Sequence, residues 1–182
     1  MSDDRPWYRE PETFISFAAL IVSLSAMVVG LYEASLQRAH DRAEVWPHVE
    51  LATLTNPQGA TVILENGGLG PAIIKTVAVT VDGRHRRSWP DALQALLGAL
   101  PADYNNRTVV DHALRSGEQV TVVALGTKDL PKQFWPTVQR VRVTVCYASI
   151  FGDYWELSAR LGASNYWRSV DGCPAQPRDT AF

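Results

Sequence analysis

Cysteine is scarce in this chain: of 182 residues only Cys146 and Cys173 carry a thiol. Neither has a second cysteine beside it, and the four histidines, His40, His48, His85 and His112, show no ligand spacing, so neither a metal nor any other cofactor is expected. A nucleophile elbow is also missing. Ser116 in RSGE and Ser149 in ASIF lack the surroundings that activate a hydroxyl, and Asp111 and His112 are neighbours that a strand would send to opposite faces. No catalytic residue can be assigned, and the expectation is that this is not an enzyme. Nor does one sign of charge prevail: from residue 46 onward thirteen basic residues face twelve acidic ones, which argues against a nucleic-acid partner.

What is present, near the start, is a run of nineteen residues without a charge, 14–32 (FISFAALIVSLSAMVVGLY), bracketed by Glu12 and Glu33. As a helix rising about 1.5 Å per residue it is roughly 28 Å long, close to the roughly 30 Å of hydrocarbon in a bilayer. A cleaved secretory signal is the competing reading and would need a basic leader. This leader carries Asp3, Asp4, Glu10 and Glu12 against Arg5 and Arg9, and helix formers continue past Tyr32, so a single uncleaved span is expected. Ser16, Ser23 and Ser25 can donate to the helix's own carbonyls within it.

Residues 33–45 (EASLQRAHDRAEV) lack Gly and Pro and read as a helical stalk. The expected organisation is a tail over 1–13, a transmembrane helix over 14–32, a stalk over 33–45, and one domain over 46–182 with an irregular tail from about 162. Within the domain, β-branched runs alternate with turn signals at 49–55, 60–66, 72–81, 108–114, 119–125, 140–150 and 154–161. Seven half-buried strands in this length predict an all-β, immunoglobulin-like antiparallel β-sandwich. Two helical insertions are expected to cover its edges: one after Ser88-Trp-Pro-Asp91, ended by Pro101, and a shorter one over 128–138.

Four local features are candidates for a role. Asn66, Gly67, Gly68, Gly70 and Pro71 form a string between two strands, expected to be a rigid corner whose glycines supply left-handed backbone; a phosphate loop would need a following helix, whereas 72–81 reads as strand. Arg84, Arg86 and Arg87 make the one basic cluster, a candidate contact for anionic lipid or an acidic partner, with a solvated hairpin tip as the alternative. Trp46, Tyr166 and Trp167 are candidate interface aromatics, with packing onto the domain as the alternative. Cys146 and Cys173 can form a disulfide pinning the tail, worth roughly 3 kcal/mol in an oxidising compartment, or remain as two thiols.

The strings VWPHVE (45–50), ENGGLGPA (65–72) and CYASIFGDYW (146–155), behind an N-terminal span, resemble a group of small, uncharacterised bacterial single-pass membrane proteins. The resemblance covers most of the chain and implies the architecture and a bacterial inner-membrane location, without an activity. Arg5 and Arg9 before the span balance Arg38 and Arg42 after it, so charge does not orient the helix; the paired cysteines favour a periplasmic domain. The functional expectation is a non-enzymatic accessory, scaffold or assembly subunit of a larger membrane complex, for example a respiratory or photosynthetic one. Its partners would be other membrane protein subunits and the lipid bilayer, with no small-molecule substrate. The alternative is a membrane-tethered sensor or small-ligand-binding domain, with a pocket between the sandwich and the 91–100 helix.

Overall fold

The uncharged run needs no tertiary partner to become helical, because a helix satisfies all of its interior backbone groups internally. In the computed structural model, which describes residues 11–130 and 134–182, α1 extends over Pro11–Glu44 as 34 unbroken helical residues. The candidate span and the stalk are therefore one helix. Ser16, Ser23 and Ser25 donate to the carbonyls of Glu12, Leu20 and Ile21 at 2.8–2.9 Å, which removes the cost of a hydroxyl on an apolar helix. Its large apolar side chains are exposed along the whole length. The chain divides into two compact units, one up to Ala43 and one over Glu44–Phe182.

The second unit consists of two antiparallel sheets that do not close into a barrel. Strands β1 (Val49–Asn56), β2 (Gly59–Asn66), β5 (Tyr104–Asn106) and β7 (Gln119–Gly126) form a four-stranded sheet in the order β1-β2-β7-β5. A six-stranded sheet holds β3 (Ala72–Val81), β4 (Arg84–His85), β6 (Ala113–Leu114), β8 (Val141–Ala148), β9 (Tyr154–Arg160) and β10 (Asn165–Val170), in the order β10-β9-β8-β3-β4 with β6 also on β3. Period-two alternation sends Val49, Leu51, Val62 and Leu64 from one sheet, and Val143, Val145, Tyr147 and Leu157 from the other, into one buried cluster. The Asp82-Gly83 turn, with φ of 51° and 76°, takes the two positive values that a tight hairpin between twisted strands requires.

Helix α2 (Trp89–Leu97) is encoded locally. The Ser88 hydroxyl accepts from the Asp91 amide, Pro90 sits in the first turn, and Gly98 caps the end in a left-handed conformation. Trp89, Ala92, Leu93 and Leu96 form its buried face. Gly98, not Pro101, ends it. In the second expected insertion the described residues hold a 3-10 turn over Thr127–Asp129 and the single-turn α3 (Phe134–Val138); positions 131–133 lie outside them, as do 1–10 of the expected N-terminal tail.

Several expectations need correction. With α1 and α2 the architecture is sandwich-like α+β, not all-β. The strand expected over 108–114 exists only at Ala113–Leu114, because the amides of Val109 and Val110 donate to the Phe182 carbonyl and Asp111 takes a φ of 63°. Asp111 and His112 therefore occupy a turn, and His112 faces Glu118 at 3.4 Å. Beyond residue 162 the chain is not an irregular tail: β10 pairs along β9 from Asn165↔Ala159 to Val170↔Tyr154.

The segment after β10 is also built into the domain. Phe182 is buried edge-on to Trp89 at 5.7 Å between ring centroids. Between the stretches of β3 taken by β6 and β4, Val77 turns its amide and carbonyl to Gln176. Its amide donates to Gln176 Oε1 at 3.0 Å and its carbonyl accepts from Gln176 Nε2 at 3.1 Å. A side-chain amide thus takes the place of a neighbouring strand and closes the gap in that edge. Cys146 on β8 and Cys173 form a disulfide with Cα atoms 5.6 Å apart, holding the segment where Gln176 can reach.

Candidate functional site

Strand directions place the glycine string and the β8–β9 turn at the same end of the domain. Ile73 at the start of β3 lies opposite Ala148 at the end of β8, so the chain entering one strand and leaving the other does so at the same end of the sheet. Residues 45–48, just before β1, lie at this end too, since β1 begins at Val49 opposite Asn66 and the Trp46 and His48 carbonyls accept from Leu69 and Gly67. The strings 45–50, 65–72 and 146–155 therefore all reach this end.

Asn66 organises the corner. Its side chain is 0 % exposed and fills all four of its hydrogen-bonding positions: Oδ1 accepts from the amides of His48 and Gly68, both at 3.1 Å, while Nδ2 donates to the carbonyls of Gly70 at 2.8 Å and Leu114 at 3.0 Å. Further bonds lock the strip: Gly67 N to the His48 carbonyl at 2.8 Å, Leu69 N to the Trp46 carbonyl at 3.0 Å, and Ser116 Oγ to the Gly68 carbonyl at 2.7 Å. The corner is rigid, but not for the expected reason. None of Gly67, Gly68 and Gly70 has a positive φ. Gly68 and Gly70 are required because a Cβ at the first would collide with the backbone of Trp46, Pro47 and His48, and one at the second with that of Val45. At Gly67 the nearest atom to such a Cβ is the His48 carbonyl oxygen at 3.9 Å, so that position has no steric need of glycine.

The adjoining turn is locked by a different residue. Ser149 is buried; its Oγ accepts from the amides of Phe151 at 3.1 Å and Asp153 at 3.2 Å, and its own amide donates to the Asp153 carbonyl at 2.9 Å. Each fixed turn holds large apolar side chains out into solvent. Leu69 is 74 % exposed, Ile150 56 % and Phe151 44 %, next to Trp46 at 46 %.

Of the three candidate interface aromatics, Trp46 stands at this corner. Tyr166 is exposed on β10. Trp167 serves the fold instead: its Nε1 donates to the Val49 carbonyl at 2.6 Å, and Asn165 Nδ2 donates to the Leu51 carbonyl at 3.2 Å, tying the edge of one sheet to the edge of the other. The His48 ring lies between Trp46 and Trp167, with centroids 5.0 and 4.6 Å away, and its Nε2 is 3.2 Å from Glu50. Arg84, Arg86 and Arg87 sit at the opposite end of β3, past Val81. Arg86 lies 3.6 Å from Asp91 and Arg87 3.4 Å from Asp179, so two of the three cations face carboxylates of the same domain. Among the described residues no three His, Cys, Asp or Glu gather as metal ligands.

Tyr147, fully buried and stacked on Trp155 at 5.9 Å, lies beneath this end, its hydroxyl 3.5 Å from the Val49 amide that donates to it. Burial pushes its pKa up to about 12 from the ordinary 10. The unfolded chain therefore loses this proton first. Tyr147's contribution is intact below pH 10 and is lost as pH rises from 10 through 12, by about 3 kcal/mol in all. The fall in unfolding free energy between pH 9 and pH 12, measured by urea denaturation, should be smaller for Tyr147→Phe than for the parent by about 2 kcal/mol; an equal drop in both proteins would refute it.

Set against family models, curated proteins and solved structures, the chain matches none. The class is accordingly defined by the architecture: one exposed, apolar N-terminal helix joined to two antiparallel sheets stapled by a disulfide, with a rigid apolar corner at the end where β1 begins.

Proposed function

We propose that this is a non-enzymatic, single-pass membrane protein whose periplasmic domain serves as an accessory, scaffold or assembly subunit of a larger membrane complex. The observation that carries the reading is α1, a 34-residue helix whose nineteen-residue uncharged stretch is left exposed among the described residues. Such a surface is stable in lipid and costly in water. The disulfide supports an oxidising compartment for the domain, and with it an N-in orientation of the span.

The immunoglobulin-like reading of the domain belongs to the same proposal. In its favour, β1-β2-β7-β5 follows the ABED order of that fold and β3-β8-β9 its CFG order, with β4 and β10 added at the two edges. The disulfide differs, running from β8 to the segment after β10 instead of between the two sheets. Domains of this architecture commonly present loops at their ends for binding. Against a small-ligand pocket between α2 and the sheets, the apolar cavity there measures about 30 Å³, whereas sites for small molecules occupy roughly 300 Å³ or more.

The test is affinity purification of the full chain from native membranes in mild detergent. Co-elution of distinct membrane proteins in fixed proportion is expected. Recovery as a free monomer under several gentle conditions would overturn the proposal.

A further inference from the structure

We infer that the end of the domain carrying Leu69, Ile150 and Phe151 is its docking surface, and that the occupant is a protein presenting an apolar groove with a basic rim. The inference rests on the accessory-subunit reading above and specifies the surface that such a subunit would use.

Three observations carry it. Large apolar side chains are normally scattered singly over a surface, whereas here Leu69, Ile150 and Phe151 are exposed on two loops whose adjoining strands pair at Ile73↔Ala148, and the Leu69 amide bonds to the Trp46 carbonyl. Both loops are pre-organised. The four side-chain bonds of Asn66 fix one and the bonds of Ser149 to Phe151, Gly152 and Asp153 fix the other, so little conformational freedom remains to be lost when the tips are covered. The charge around the tips then selects the occupant. Glu50, Glu65, Asp111 and Glu118 lie on the strand ends and loops of this end, against Arg115 and Lys75, with Glu50 and Glu118 each also facing a histidine, His48 and His112. An acidic border repels an anionic lipid surface, which polybasic segments bind, and complements a basic one. A second copy of the chain would bring the same acidic border against itself. The apolar tips supply the buried centre of the contact and the carboxylates its rim.

The experiment places a photoreactive benzoylphenylalanine at position 69 or 151 of the full-length chain, with position 84 at the opposite end as control, and irradiates native membranes. Expected is an adduct from 69 and 151, and none from 84, with a protein that also co-purifies with the unmodified chain. The adduct should map by mass spectrometry to an apolar segment flanked by Lys or Arg. The double variant Leu69→Asp, Phe151→Asp should lower co-purification of that protein at least tenfold while leaving the melting temperature unchanged, since both side chains are exposed. Adducts to lipid, to a second copy, or from 84 alone would overturn the docking surface. If the partner still co-purifies when 69 and 151 give no adduct, this inference fails while the accessory function stands; if nothing co-purifies, both fail.

Discussion

Replacing Asn66 by Ala is expected to destabilise the domain by about 4 kcal/mol, because two carbonyls and two amides lose their buried partner at once and each orphaned group costs about 1–3 kcal/mol. The four penalties do not add fully, since water can enter the space that the amide leaves. Against a total stability of roughly 5–15 kcal/mol the loss is large, and for a domain of this size it corresponds to a fall of roughly 12 °C in melting temperature. Asn66→Asp makes the sharper comparison. The shape is retained, but a carboxylate oxygen would face the Gly70 and Leu114 carbonyls where Nδ2 donated, so the isosteric variant should be no more stable than the alanine one. Urea denaturation followed by tryptophan fluorescence measures both. A cost below about 1 kcal/mol for either would show that the corner is held by its backbone bonds alone.

The second large effect is that of the disulfide. Opening a loop of 27 residues frees the unfolded chain by about 3–4 kcal/mol on the chain-entropy account, so Cys173→Ser should lower stability by that amount. The consequence is also local. Gln176 is held beside β3 only three residues past Cys173, and Phe182 supplies the acceptor for the Val109 and Val110 amides. Hydrogen exchange should therefore rise at Val77, Val109 and Val110 in the variant, with less change at Val143 and Val145 in the centre of the sheet. Uniform loss of protection would mean that the segment has no separate opening. In native membranes the unsubstituted protein should react with a maleimide only after reduction and denaturation; free thiols from the outset would argue against an oxidising compartment for the domain.

How far the fold was legible differs by element, and the reason is how far each depends on partners distant in sequence. α1 could be read directly because an uninterrupted apolar run is helical on local grounds. α2 could be placed from Ser88, Pro90 and its apolar periodicity, although its end was misjudged: Gly98 caps a helix as effectively as Pro101 interrupts one. The long strands β1, β2, β3, β7, β8 and β9 alternate strongly enough to be recognised singly. The short strands do not. Tyr104–Asn106 has no apolar pattern and is a strand because Leu125 and its neighbours pair with it. For β10 a signal existed, Asn165 and Trp167 facing inward against Tyr166 and Arg168 outward, but the Gly and Pro just beyond it made the region read as a tail.

The candidate site was visible only in fragments. The glycine string and the CYASIFGDYW string each stood out, and the aromatics could be named, yet nothing in the sequence joins Leu69 to Phe151 across more than eighty residues. That junction is made by the β3–β8 ladder.

The amino-acid sequence alone was enough to establish an apolar helix of membrane-spanning length and a strand-rich domain behind it, because each of these is a property of contiguous residues. Chain folding in three dimensions was needed for the rest. It spends the side chain of Asn66 on four backbone partners, makes a strand surrogate of Gln176, commits Trp167 to the fold, and leaves Leu69, Ile150 and Phe151 uncovered on loops at one end of the domain. Whether a polar or apolar side chain is consumed by the fold or left for a partner depends on which distant backbone arrives beside it, and strand pairing over long separations sets that.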